Sequence, residues 1–134
     1  MATDRLRVAE SLDGVPPAAW DRLAGDDPCT RHAFLDALIA TGCASPRTGW
    51  RPQILLLERG GALAGAMPLF LKQHSYGEYV FDWAWADAYQ RHGLRYYPKA
   101  LIAVPFTPVP GSRLLARDTA TRQRLLQAVL DWCD

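Results

Sequence analysis

Tyr76-Gly-Glu-Tyr-Val-Phe-Asp-Trp-Ala-Trp-Ala-Asp-Ala-Tyr89, with Arg95-Tyr-Tyr-Pro-Lys99 close behind, holds more than half of the aromatic side chains of the sequence. Tyr79, Phe81, Trp83 and Trp85 alternate with Val80, Asp82, Ala84 and Ala86. A period of two predicts a strand over 79–85, with rings on one face and small residues plus one carboxylate on the other. Each ring carries about 150–250 Å². At about 25 cal/mol per Å², burying four of them is worth at most about 15–25 kcal/mol, more than the ~5–15 kcal/mol net stability of a typical domain. Such a row needs cover from a core, a ligand or a neighbouring chain.

Around this stretch the predicted elements run in a simple order. Arg5–Glu10 alternates as a first strand. Pro16 and Pro17 suit the opening of a helix over Ala18–Ala24, where a missing N–H costs nothing. Thr30 is placed to cap a second helix reaching Thr41, with Gly42 as its stop; Phe34, Leu35, Leu38 and Ile39 share one helical face. Gln53–Leu57 and Ala62–Leu71 read as a hairpin around Glu58-Arg-Gly-Gly61. After the aromatic strand, Asp87–Arg91 reads as a helical turn capped by Asp87 and ended by Gly93. Ala100–Phe106 reads as a buried strand broken near Pro105. Thr119–Trp132 is an amphipathic helix with Leu125, Leu126, Val129 and Leu130 on its apolar side.

The bulk properties bound the function. The chain has 134 residues, 49% hydrophobic and 22% charged, with a net charge of +1; this is one globular domain with no bulk electrostatic attraction to nucleic acid or anionic lipid. Met-Ala-Thr-Asp-Arg lacks the apolar core of a signal peptide, and Ala62–Leu71 is too short to span a bilayer. Cys29, Cys43 and Cys133 are widely spaced and read as reduced, mostly buried thiols. The expected location is the cytoplasm, without membrane insertion. His32 and Asp36, one helical turn apart, suit a surface pair; His74 and His92 have no ligand-spaced partners, so no metal is assigned.

The order strand, helix, helix, hairpin, strand, strand, helix resembles the opening of the GCN5-related N-acetyltransferase (GNAT) topology. Thr30-Arg-His-Ala-Phe-Leu35, Pro46-Arg-Thr-Gly-Trp50, Leu69 through Tyr89, and Tyr96-Tyr-Pro-Lys-Ala-Leu-Ile-Ala-Val-Pro-Phe-Thr-Pro-Val-Pro-Gly-Ser-Arg-Leu-Leu115 are similar to the FemAB-like proteins of bacteria, a GNAT branch associated with peptidoglycan biosynthesis. The resemblance covers about Ala9 to Asp134. It implies an α+β, GNAT-like mixed sheet flanked by helices, one unit over 1–134 that stops after the helix following the central strand. Family members resemble two GNAT-like halves in chains more than twice as long. The expectation is therefore an N-terminal portion whose C-terminal half is a missing partner.

The implied activity is N-acyl transfer to an amine-bearing substrate, with a peptidoglycan precursor as the acceptor. The acyl donor is left open between an aminoacyl-tRNA, which would bring a tRNA contact, and an acyl-CoA. In ordinary GNAT enzymes the carrier's pyrophosphate sits on a glycine-rich loop opening a helix. Here the matching Thr107-Pro-Val-Pro-Gly-Ser-Arg113 has two prolines without N–H groups, which favours the aminoacyl-tRNA branch. Asp82 is the candidate catalytic residue, as a base or as an anchor for the amine, against a purely structural carboxylate paired with Arg95, Lys99 or a backbone turn. Tyr89, Tyr96, Lys99 and Arg113 are candidate substrate contacts, the last two for phosphate or carboxylate groups. The rivals are a non-catalytic interaction module and a conventional acetyl-CoA-dependent acetyltransferase.

Overall fold

A computed structural model describes residues 3–134. Its seven strands form two antiparallel sheets. One has the order β1-β3-β4-β7, from β1 (Asp4–Ala9), β3 (Ile54–Arg59), β4 (Ala62–Met67) and β7 (Leu115–Ala116); the other has the order β2-β5-β6, from β2 (Trp50–Pro52), β5 (Leu69–Lys72) and β6 (Lys99–Ile102). Four α-helices complete the mixed α+β architecture: α1 (Pro17–Ala24), α2 (His32–Ala40), α3 (Trp83–Arg91) and α4 (Thr119–Cys133).

The β3–β4 hairpin closes where expected. Arg59 pairs with Ala62, and Gly60 and Gly61 both take positive φ, 59° and 79°, the geometry a two-residue turn between twisted strands requires. The long apolar run after it is two strands, not one. Pro68 has no N–H for a ladder, so β4 ends there and β5 begins in the second sheet. Opposite the break, Gln53 separates β2 from β3, and its N–H donates to the Leu69 carbonyl at 2.8 Å. Two kinked strands thus knit the sheets together.

Strand β3 is buried on both faces, and its period of two divides the core. Ile54 and Leu56 point to a cluster with Leu12, Trp20, Leu35, Trp50 and Phe70, under α1 and α2. Leu55 and Leu57 point to a cluster with Met67, Leu125, Ala128 and Val129, under α4. Helices therefore cover both faces of the first sheet. On α4 the stripe against the sheet is Thr121, Leu125, Ala128 and Val129; Leu126 and Leu130, expected on the apolar face, are exposed.

The aromatic stretch departs most from expectation. Residues 79–85 are not a strand: Tyr79 to Asp82 run irregularly and Trp83–Arg91 is helix α3. Alanine at 84, 86 and 88 is the strongest helix former, and its regular spacing also mimics strand alternation. Asp82, not Asp87, occupies the N-cap position. Asp87 lies within the helix and pairs with Arg91 one turn on, at 3.1 Å. None of the α3 residues is buried.

Smaller corrections have equally local causes. Helix α2 begins at His32, after a 3-10 turn that contains Thr30. Its first N–H is accepted by the Asp21 carboxylate of α1 at 2.8 Å, so the cap comes from another helix. His32 is buried edge-on to Trp20, with Nε2 3.4 Å from the Leu12 carbonyl, and does not pair with Asp36. Cys43 and Cys133 are exposed and Cys29 is half-buried, all three as free thiols. The predicted strand over 100–106 ends at Ile102.

Candidate functional site

The register of the second sheet creates the site. Lys72 at the end of β5 lies directly opposite Lys99 at the start of β6. These are the only two lysines in the sequence, and like charges facing across a ladder repel. The segment leaving β5 brings the counter-charges. Glu78 Oε1 lies 2.7 Å from Lys99 Nζ, and its Oε2 lies 3.5 Å from Lys72 Nζ. Asp82 Oδ2 accepts from Lys99 Nζ in a very short contact and from the Tyr96 hydroxyl at 2.5 Å.

Every donor of Lys99 is used, since its third hydrogen bond goes to Ser75 Oγ at 2.9 Å. Ser75 shares a further bond of 2.6 Å with the Tyr97 hydroxyl. Lys72 has no exposed side-chain surface. Its ammonium donates to the Tyr76 carbonyl at 2.5 Å and stands 3.9 Å above the Trp50 ring, a cation–π contact. Tyr89 meets Tyr96 edge-on with ring centres 5.1 Å apart, and Tyr96 meets Tyr97 in the same way.

This arrangement sets the ionisation of the cluster. Burial opposes the charge on Asp82, but hydrogen bonds from Lys99, Ser75 and Tyr96 outweigh it and hold the carboxyl at about 2. Burial likewise opposes the charge on Lys99, yet its bonds to Asp82 and Glu78 raise it above the usual lysine value. The bond to Asp82, then burial, raises Tyr96, so its hydroxyl stays protonated. Lys72 runs the other way: burial lowers it despite the opposing effect of Glu78.

Glu78 also faces a cleft of about 340 Å³ between the 77–80 segment, β6 with the residues after it, and Thr107–Val109 with Arg113. Most of the lining is apolar, from Tyr79, Val80, Leu101, Ile102 and Val104. Three buried polar atoms on lining residues have no hydrogen-bond partner: Trp50 Nε1, Glu78 Oε2 and Arg113 Nη1. Buried polar atoms are ordinarily paired; here Glu78 Oε2 has Lys72 Nζ at 3.5 Å and Arg113 Nη1 has Asp27 Oδ2 at 4.0 Å, beyond hydrogen-bond reach, and all three atoms lie beneath the cleft surface. Gly77 keeps the near wall tight. At φ 82°, a Cβ there would lie 2.6 Å from the Phe106 ring and 2.9 Å from Trp50 Nε1.

Of the residues singled out from sequence, Asp82, Tyr96 and Lys99 meet directly and Tyr89 supports Tyr96. Arg113 lies apart, across the cleft, with Nη2 donating to the Val109 carbonyl at 2.7 Å. Sequence reasoning missed Lys72, Glu78, Ser75 and Trp50. One signal was present for the lysines: the other thirteen of the fifteen Lys and Arg residues are all arginine.

Compared with known families, residues 11–134 match the FemAB-like family, described as peptidoglycan biosynthesis/recognition. The chain belongs to the FemAB-like family. Searches of curated proteins and of solved structures gave no match. Among the described residues of this FemAB-like chain, no helix is long and apolar enough to cross a membrane.

The FemAB-like chain does not present a pyrophosphate cradle at Thr107–Arg113. That segment leads into β7 rather than a helix. The nearest helix start, at α4, is already capped by Asp118, whose side chain accepts the Thr121 N–H at 2.7 Å. Over Gly111 sits the Asp27 carboxylate, 2.5 Å from where a Cβ would be. A second anion there would be repelled.

Proposed function

We propose that this FemAB-like chain serves an N-acyltransferase of GNAT-like fold that acts on an amine-bearing cell-wall precursor. The observation that carries the reading is the mostly apolar cleft whose lining includes Glu78, Trp50 and Arg113. Acyl transfer needs an acceptor for the amine's proton and donors for the carbonyl oxygen as it becomes negative. Among the lining residues, the Glu78 carboxylate is the candidate for the first role and the Trp50 and Arg113 side chains for the second. In the reaction the amine nitrogen bonds the acyl carbon, the bond from that carbon to the carrier breaks, and the amine's proton passes through Glu78 to the leaving group.

Asp82 has a different part in this proposal from that of a base. A carboxyl held at about 2 is a poor proton acceptor near neutrality. Asp82 instead fixes Lys99 and Tyr96, and Lys99 fixes Glu78. Tyr89 buttresses Tyr96. The poor fit of Thr107–Arg113 to a pyrophosphate favours an aminoacyl-tRNA over an acyl-CoA as the donor.

The test is to incubate the chain with an amine-bearing peptidoglycan precursor and either donor class, and to read the product mass. Transfer that Glu78→Gln abolishes, while circular dichroism remains unchanged, is the expected result. Absence of product with both donors overturns the proposal. Saturable thermal stabilisation by acyl-CoA would instead favour a conventional acetyltransferase. The exposed Tyr76, Tyr79, Phe81 and Trp85 favour a second reading, a non-catalytic interaction module, which product formation would exclude.

A further inference from the structure

We infer that a second copy of this chain covers the aromatic face around α3, forming a two-fold dimer in which the two α3 helices run antiparallel. The inference goes beyond the acyl transfer proposed above and does not depend on it.

Helix α3 is short of support. None of its nine residues is buried, and among the described residues no helix or strand packs substantially against it. Its N-cap residue makes no capping bond, because the Asp82 carboxylate is taken by Lys99 and Tyr96. A helix shorter than about 12 residues is marginal in water without a packed face.

The rings beside it are equally uncovered. Tyr76, Tyr79, Phe81, Trp83, Trp85 and Tyr89 are between 39% and 76% exposed. Tyr76 meets Trp83 with ring centres 5.4 Å apart, which joins the loop and the helix in one surface. At about 150–250 Å² per ring, these exposures leave roughly 550–900 Å² of aromatic surface in water. The largest apolar patch of an ordinary monomer is about 300–600 Å². Each partner in a stable dimer gives about 800 Å², which this face can supply.

The charges on α3 decide which partner fits. Asp87 and Arg91 lie one turn apart at 3.1 Å, and both are well exposed. A nucleic acid or an anionic lipid surface calls for a net positive face, whereas this pair is neutral. A two-fold axis makes one surface meet itself, and antiparallel helices then set Asp87 of each copy against Arg91 of the other. The net charge of +1 per chain adds little repulsion. Tyr89 rests on Tyr96, whose hydroxyl is bonded to Asp82, so a copy seated on α3 also braces the Asp82–Lys99 cluster.

The test is analytical ultracentrifugation of the full chain. Interfaces of this size hold at micromolar concentration or below, so the mass at about 10 µM should be twice that of one chain. The melting temperature should rise with protein concentration. Trp85→Glu removes a ring and adds a charge, and should leave a monomer with unchanged circular dichroism. The decisive variants are Asp87→Arg and Arg91→Asp. Each breaks the pair within the helix and sets like charges across the axis, so each should self-associate at least about tenfold more weakly. Mixed in equal amounts, the two variants place opposite charges across the axis and should dimerise near the native affinity. If Trp85→Glu unfolds, the mixture still decides. A monomer at about 100 µM, a mass that keeps growing with concentration, a dimer that folded Trp85→Glu leaves intact, or a mixture no tighter than its components overturns the inference. So does a monomer that floats with phosphatidylcholine–phosphatidylglycerol vesicles, which would assign the rings to a lipid surface.

Discussion

Replacing Asp82 by asparagine isolates the electrostatics of the cluster. The Asp82 side chain is only 15% exposed, and one oxygen receives both Lys99 and Tyr96. Asparagine keeps the shape but loses the charge, so Lys99 retains Glu78 as its only anionic partner. Lowering the carboxyl from 3.8 to about 2 corresponds to about 2 kcal/mol of folding free energy. A loss of that size should reduce the melting temperature by roughly 5–10 °C in a domain this long. The pH dependence is diagnostic. A depressed carboxyl contributes fully above the unfolded value near 4, and its contribution fades as pH falls toward 2. Urea unfolding of the native chain and of Asp82→Asn, followed by circular dichroism from pH 7 to pH 2, should show a gap that is constant down to about pH 4 and closes below it. Equal stability at pH 7, or a gap that persists unchanged at pH 2, would refute the ion-pair account.

Two further outcomes follow from the packing. Lys72 and Lys99 are enclosed and bonded, so brief acetylation of the native chain should leave both unmodified, and urea should expose both; rapid native labelling of either, read by peptide mass, contradicts the burial. Gly77→Ala should destabilise by about 1–3 kcal/mol, because its Cβ meets Phe106 and Trp50 and its φ is positive; a thermal melt indistinguishable from that of the native chain would show that the loop yields freely.

The legible parts of the fold were those set by neighbours in sequence. The β3–β4 hairpin was readable because two glycines between apolar runs permit few other turns. Helix α4 was readable because its apolar period is long. Strand β1 and helix α1 followed from alternation and from prolines at a helix start. Helix α3 was misread because alanine at every second position satisfies both periods, and no tertiary contact enters that arithmetic. The site was half legible. Asp82, Tyr96 and Lys99 drew notice as polar groups among rings, and they do meet. Glu78 and Lys72 could not be paired from sequence because their importance comes from cross-strand register and from a loop that folds back over it.

From the order of residues alone came the family resemblance, the mixed α+β composition, most element positions and the suspicion attached to Asp82. These rest on periodicity, turn chemistry and motif, all of which are local. Tertiary structure alone decided that Lys72 and Lys99 face one another and that Glu78 and Asp82 answer them. Those facts depend on which strands pair and in what register, and register is a property of the whole sheet: a shift of one residue would send Lys99 to the opposite face and leave the carboxylates without a partner.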